Sequence, residues 1–310
     1  MADFTIVLER IAGLAMLIVV SMRVAVLGSG SGGNATVVSC AEGDFLIDAG
    51  LSAKQLVLRL EALGIDADSL TGVFLTHEHS DHARGLDVFL RKRNIPVYAN
   101  AMTKEALEWG MKSEVKWKVF QTGQMFKVGA MEVMGFSIPH DAAEPVGYSL
   151  EVSGVKFGLV TDVGCTTQGM RVHLKESHML FVEANYDENL LEMDTKRPWA
   201  TKQRIASRHG HLSNTQAGEL IAEVCCGKLQ HVFLGHLSGD CNRADKAEKT
   251  VRDLLENISV QTNVICACQS EPTAWLEVKQ EEVALEEVKI EPEECVKVTE
   301  SEQFIQHDLL

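Results

Sequence analysis

From Met22 to about Val278, short apolar runs alternate with amphipathic stretches, and this alternation predicts the architecture. Runs rich in β-branched and aromatic residues, bounded by Gly, Asn, Asp and Ser, predict strands over 22–27, 35–40, 44–48, 72–76, 96–99, 117–120, 125–138 (broken near Gly129), 147–153, 155–161, 179–183, 229–235, 262–268 and 274–278. Apolar stripes at helical spacing predict helices over 52–63, 83–93, 102–110, 166–174, 201–208, 213–225 and 243–256. In the first of these, Leu56, Leu60 and Leu63 share one face and Gly64 ends the stripe. Strand-rich meanders with helices at both ends of the body predict an α+β fold of two packed sheets with helices outside, rather than one parallel sheet.

The pattern changes at both flanks. Ile11 to Val20 is apolar but far shorter than the roughly 20 residues that span a bilayer. Asp3 and Glu9 outnumber Arg10, so the basic start of a secretory signal is missing. The expectation is therefore no stable membrane association, a polypeptide whose functional start is Met22, and residues 1–21 as an over-extended N-terminus. At the other end, residues 279–310 carry three lysines against ten carboxylates with no lasting period, and read as an acidic, disordered tail. That tail holds about half of the chain's net charge of −15. Residues 22–278 form the one expected domain.

With 45% hydrophobic and 24% charged residues, the composition is that of a globular protein. Its eight cysteines include Cys225-Cys226 and Cys266-x-Cys268, neither of which has zinc-knuckle spacing. They read as buried thiols in a reducing, cytoplasmic setting.

One glycine-rich stretch first suggests a nucleotide. In VAVLGSGSGGNATVVSC, a strand runs into Gly28-x-Gly30-x-x-Gly33, and Asp48 closes another apolar run further on. A dinucleotide fingerprint needs a helix after the last glycine, to receive the pyrophosphate. Here Ala35-Thr36-Val37-Val38 continues as strand, and Glu42-Gly43-Asp44 turns into the next strand. The nucleotide reading fails its context, and the glycine turn needs another explanation.

The strongest chemistry lies in GVFLTHEHSDHARG. A strand ends at Thr76, and His77, Glu78, His79, Asp81 and His82 follow within six residues. Imidazole and carboxylate together suit zinc, manganese or iron. In an extended loop His77 and His79 point the same way, while Asp81 and His82 can turn to a second ion. Other apolar strands each end in one ligand-type residue: Asp48, His140, Asp162 and His236. That recurrence sets the site along one edge of the sheets.

His-x-His-x-Asp-His followed by His140, Asp162 and His236 resembles the metallo-β-lactamase superfamily, over about residues 22–278. The resemblance implies an αβ/βα four-layer sandwich and two divalent ions, Zn²⁺ or Mn²⁺. It assigns His77, His79 and His140 to one ion, Asp81, His82 and His236 to the other, and Asp162 as the bridge. Asp48 becomes a residue supporting the ligands, and the glycine turn part of the first strands. A hydroxide shared by the ions is the implied nucleophile. Glu78 is no ligand in this pattern. His79 stands where flavodiiron relatives carry a glutamate, which argues for hydrolysis over oxygen reduction.

Two further stretches bear on the substrate. LFVEANYD ends a strand at Glu183, and SRHGHLSNTQAGELIAE sets His211 before a helix capped by Ser213, with His209 read as ordinary loop. Phosphodiesterases similar to ribonuclease Z pair such residues, so the resemblance makes His211 the acid that protonates the leaving alkoxide and Glu183 its orienter, joined by Asp81 in the catalytic group. The combination of GSGSGGN, PHDA, VEANYD, GHLSN and GHLSGDCN is most similar to the bacterial YycJ/WalJ group, which implies a 5′-to-3′ exonuclease on DNA. There is no room between Asp162 and His236 for the insert of the larger RNA-processing nucleases. A nucleic-acid partner needs cations, and Lys196, Arg197, Lys202, Arg204 and Arg208 around Trp199 offer a phosphate track with a stacking residue. A second run, Arg91-Lys92-Arg93, ends a predicted helix and complements its dipole. Two alternatives stay open. A glyoxalase II-like thioester or lactone hydrolase suits the acidic body but gives Glu183 and His211 no role. A metal-stabilised binding module is the other.

Overall fold

The computed structural model describes residues 6–11 and 14–281, with side chains over 22–278. In chain order its strands and helices are β1 (Ile6–Ile11), β2 (Leu14–Gly28), β3 (Ala35–Cys40), β4 (Gly43–Ile47), α1 (Ala53–Ala62), β5 (Gly72–Phe74), α2 (Ser80–Ala83), α3 (Leu86–Leu90), β6 (Pro96–Asn100), α4 (Ala101–Glu108), β7 (Lys116–Phe120), β8 (Met125–Val128), β9 (Met131–Ser137), β10 (Val146–Val152), β11 (Val155–Val160), α5 (Gln168–Leu174), β12 (Met179–Glu183), α6 (Glu188–Met193), α7 (Trp199–Ile205), α8 (Asn214–Val224), β13 (His231–Gly235), α9 (Ala244–Asn257), β14 (Asn263–Cys266) and β15 (Leu276–Glu281).

The strands form two mixed sheets with matching plans. The first runs β1-β2-β3-β4-β5-β6-β7, with β15 returning to pair β2; the second runs β14-β13-β12-β11-β10-β9-β8. In each, an antiparallel meander (β2-β3-β4 or β8-β9-β10-β11) passes into a parallel set (β4 to β7, or β11 to β14). Parallel neighbours end on the same side, so β4 and β5, like β11, β12 and β13, deliver their C-terminal residues to one rim.

Three apolar layers hold the sandwich together. Val24, Val38, Phe45 and Phe74 face Val133, Tyr148, Leu150 and Phe157 between the sheets. Leu56 and Leu60 of α1 and Phe89 of α3 cover the outer face of the first sheet. Leu174, Leu220, Ile221 and Val251 of α5, α8 and α9 cover that of the second. This is an α+β sandwich of two sheets between helical layers. All six residues of β3 are buried, because both faces are covered.

Phe74 is fully buried and its ring lies 4.8–6.5 Å from those of Phe45, Tyr98, Phe126 and Tyr148. Phe74→Ala is expected to cost about 3–5 kcal/mol in urea unfolding; a loss under about 1 kcal/mol would show that the two sheets close over the gap.

The structure corrects some expectations. The helix expected over 83–93 is instead α2 and α3, interrupted at Gly85. There the amide donates to the Ala49 carbonyl at 2.8 Å, and a side chain would strike the Leu51 carbonyl. Helix α6 was not expected; Asp187 caps it by accepting from the Leu190 amide. The cysteines of the described residues are free, but only Cys40 and Cys241 are buried and Cys268 is exposed. Strand β2 begins at Leu14, upstream of Met22, and β15 continues to Glu281, past the expected start of the tail. The tail beyond residue 281 and residues 1–5 and 12–13 lie outside the described residues. Among those described, no helix is long and apolar enough to cross a membrane.

Candidate metal centre

Three residues just past strand ends adopt a left-handed backbone: Asp48 (φ 61°), Asp162 (φ 54°) and His236 (φ 54°). For residues with a Cβ this conformation costs energy, and it persists only where the surroundings impose it. All three converge on one cluster. Within it, His77, His79 and His140 bring ligand atoms within 4.8 Å of one another, as do His77, His82 and Asp162, and Asp81, His82 and His236. A fourth group of the same tightness joins Asp162, Glu183, His211 and His236. His77 and His79 precede the short helix α2, whose turn carries Asp81 and His82 to the other side of the cluster. Glu78 faces elsewhere and accepts from the Ala143 amide at 2.8 Å.

The hydrogen bonds set the imidazole tautomers. Asp48 accepts from the Thr76 amide and the Thr76 hydroxyl, both at 2.8 Å. With its proton committed to Asp48, Thr76 Oγ1 accepts from His77 Nδ1 at 3.0 Å. His77 Nε2 is then an unprotonated nitrogen, buried and without a hydrogen-bond partner. Asp48 also receives His82 Nδ1 at 2.7 Å, leaving His82 Nε2 toward Asp162 at 2.8 Å. His140 Nδ1 donates to the Gly210 carbonyl at 3.3 Å, and its Nε2 lies 3.3 Å from His79 Nδ1. His236 Nδ1 lies 3.1 Å from both Asp162 and Glu183, with Nε2 3.6 Å from Asp81. Imidazoles with Nδ1 anchored on an acceptor and Nε2 presented inward are the arrangement that orients metal ligands.

Electrostatics agree. Burial penalises the Asp162 carboxylate, yet His236 and His82 hold it well below the usual carboxylate range. Burial likewise works against charge on His236, but Asp162 and Glu183 push its pKa up to about 10. His77 is pushed down by burial and by its imidazole neighbours. Buried carboxylates here call for positive charge, and His77 offers a lone pair. Divalent cations answer both demands, so the residues present fit such ions.

Glu183 is fully buried and accepts from the Val163 amide at 2.7 Å and the Leu212 amide at 3.4 Å. Its other oxygen receives His211 Nδ1 at 2.6 Å. Burial pushes the His211 imidazole down, but the charge and hydrogen bond of Glu183 outweigh it, and the net shift is upward.

Several contributors were not legible in the sequence. Asn34 is the residue the glycine turn serves: its amide donates to the Asp81 carbonyl at 2.8 Å, and its Nδ2 lies 3.1 Å from His82 Nε2. Gly33 (φ 142°) and Gly50 allow this approach, since a Cβ on Gly50 would strike the Asp81 carbonyl and one on Gly33 the Gly50 backbone. Ser29 Oγ accepts from the His236 amide at 2.7 Å. The fingerprint-like spacing was the signal, and its job is backbone packing against the histidine loop.

The basic run is only partly available. Lys196 and Arg197 pair with Asp240 at 2.8 and 2.9 Å, and Arg197 also with Asp194 at 3.1 Å. Arg204 pairs with Asp141, next to His140. Lys202 Nζ donates to the Glu192 carbonyl at 2.8 Å, while Arg208 and Trp199 are exposed.

A family profile described as the β-lactamase superfamily domain matches residues 44–236, from β4 through His236. The chain belongs to the metallo-β-lactamase superfamily. Among curated relatives, an exodeoxyribonuclease named YycJ from Bacillus anthracis is 36% identical over 238 residues, covering 76% of this chain and 89% of that one. An exodeoxyribonuclease named WalJ from Streptococcus pneumoniae is 30% identical over 249 residues, covering 79% and 92%. The crystal structure of the metallo-β-lactamase fold protein YhfI from Bacillus subtilis shares the fold, with a TM-score of 0.64 at 17% identity over 83% of this chain and 99% of that one. As a superfamily member the chain is a hydrolase, and its fold implies divalent metal ions.

Proposed function

We propose that this hydrolase is a metal-dependent 5′-to-3′ DNA exonuclease. The observation that carries the reading is the pair His211–Glu183, 2.6 Å apart, beside a cluster of inward-facing imidazoles and 3.6 Å from Asp162. The names of the Bacillus anthracis and Streptococcus pneumoniae relatives, whose lengths the chain covers nearly completely, support the same reading.

His77, His79 and His140 would hold one ion and Asp81, His82 and His236 the other, with Asp162 between them. Bound there, divalent ions such as zinc or manganese would supply a hydroxide nucleophile at neutral pH and polarise the phosphodiester. The protein's own groups do the rest. Asp48 and Thr76 hold His82 and His77 in one tautomer. Glu183, fixed by two backbone amides, accepts from His211 Nδ1 and so leaves Nε2 as the ring nitrogen for the substrate. A protonated His211 can then give its Nε2 proton to the departing sugar oxygen, the step that a poor leaving group requires.

The test is incubation of the purified protein, with Mn²⁺ or Zn²⁺, with end-labelled single- and double-stranded DNA, RNA and a glutathione thioester. Stepwise shortening of DNA from a 5′ end is expected. Thioester hydrolysis with DNA left intact would replace the nuclease by the glyoxalase II-like reading.

A narrower phosphate track follows from the ion pairs. Lys202→Glu with Arg208→Glu should weaken DNA binding and flatten the plot of log affinity against log salt by about 0.7–0.9 for each phosphate no longer neutralised. Arg197→Glu, already neutralised by Asp194 and Asp240, should change that slope far less. Equal slopes for the double variant and the wild type would return the run to an ordinary solvated surface.

A further inference from the structure

A cleft of about 600 Å³ opens beside His140, between the end of β9 and the start of α5. Phe136 and Ile138, both buried, form apolar wall, and the His173 ring of α5 stacks on Phe136 with centroids 5.1 Å apart and planes 17° apart. Thr122, Ser137 and Thr167 contribute hydroxyl-bearing side chains. No Asp, Glu, Lys or Arg lines it. On a chain that is one-quarter charged, such a lining next to a cation-seeking cluster is a division of labour. The charged end of a ligand belongs at His140, and an uncharged, flat, partly polar body belongs in the cleft. A nucleotide divides in that way, and the volume lies in the range of small-molecule sites.

We propose that this cleft receives the terminal nucleoside of the strand being degraded, with the scissile phosphate directed to the His140 end. The inference rests on the nuclease reading of the metal centre. His140 belongs to both sites, and its ring lies 5.7 Å from that of His211, so the nucleoside sits on the side where the departing oxygen is protonated. Burial keeps His173 below the ordinary imidazole range, so a neutral ring stacks and offers both a donor and an acceptor. Stacking reads a π-face rather than a base edge, and the lining has no Asn or Gln to select one base. The cleft therefore accepts all four terminal nucleotides with similar affinity.

The experiment is calorimetric titration of the Mn²⁺-loaded full chain with 2′-deoxyadenosine 3′-monophosphate, thymidine 3′-monophosphate and inorganic phosphate, because the scissile phosphate of a 5′-to-3′ exonuclease lies on the 3′ oxygen of the terminal nucleoside. Wild-type protein should bind both nucleotides more tightly than phosphate. His173→Ala removes the stacking ring. Gly169→Phe fills the cleft from an exposed position where a Cβ meets only Thr167 Oγ1, at 3.9 Å. Each should weaken both nucleotides by about tenfold or more while leaving phosphate affinity as it was. Unchanged nucleotide affinity in both variants overturns the proposal. So does an equal loss of phosphate affinity, or a wild type that binds nucleotides no better than phosphate. Should the variants behave as expected while the wild type leaves DNA uncut, the cleft stands as a nucleotide site and the nuclease reading falls.

Discussion

Asp162→Ala should empty both ion sites together and abolish hydrolysis. The carboxylate is nearly fully buried, with one oxygen 2.8 Å from His82 Nε2 and the other 3.1 Å from His236 Nδ1 and 3.7 Å from His140 Nε2. In the proposed arrangement it is the group shared by the two ligand sets, so its loss would leave each with imidazoles and too little negative charge. Elemental analysis of the wild type should give about two equivalents of divalent metal, and of the variant well under one. Retention of two equivalents by folded Asp162→Ala would remove the bridging role. Asp162→Gly is the informative companion. It also lacks the carboxylate but relieves the left-handed strain at φ 54°, and should denature at a higher temperature than the alanine variant.

His211→Ala should keep its metal and lose roughly 10²–10⁴ in turnover on DNA. The loss should shrink for bis-p-nitrophenyl phosphate, whose leaving group needs little protonation. His236→Ala should instead lose metal and activity together, because Asp81, Asp162 and Glu183 all meet that ring. The pH profile separates the two further. As the proposed proton donor His211 would work only when protonated, and the Glu183 carboxylate raises its pKa against the opposing effect of burial. DNA cleavage should therefore hold on the acid side of that raised value and decline as pH rises through it. Glu183→Gln removes the charge that raises it, so the declining limb should move to lower pH. In His211→Ala that limb should vanish. If His211→Ala empties an ion site and His236→Ala does not, the roles are exchanged.

The strands were legible because their apolar runs are short and cleanly bounded, and their ends carried the ligand-type residues. Local pattern failed where distant backbone decides the outcome. The break at Gly85 follows from the Ala49 carbonyl, 36 residues earlier in the chain. The pairing of Lys196 and Arg197 with Asp240, and of Arg204 with Asp141, joins residues 43–63 positions apart, so a run that reads as bare positive charge is largely neutralised where it sits. The left-handed backbone at Asp48, Asp162 and His236 has no signature in composition. Asn34 illustrates the remaining gap: the glycines around it have the spacing of a nucleotide turn, whereas in the fold they pack the backbone against the loop of Asp81.

The matching plans of the two sheets have a consequence for the chain as it is made. His77, His79, Asp81 and His82 follow strand β5 of the first sheet, whereas His140, Asp162 and His236 follow β9, β11 and β13 of the second. In the proposed arrangement neither half owns a complete set for either ion. The last of these side chains, His236, emerges only after three-quarters of the polypeptide, and β15 must still return to β2 to finish the first sheet. A chain arrested on the ribosome before β13 should therefore show no hydrolase activity. On the proposed assignment, hydrolysis should await the docking of these later strands.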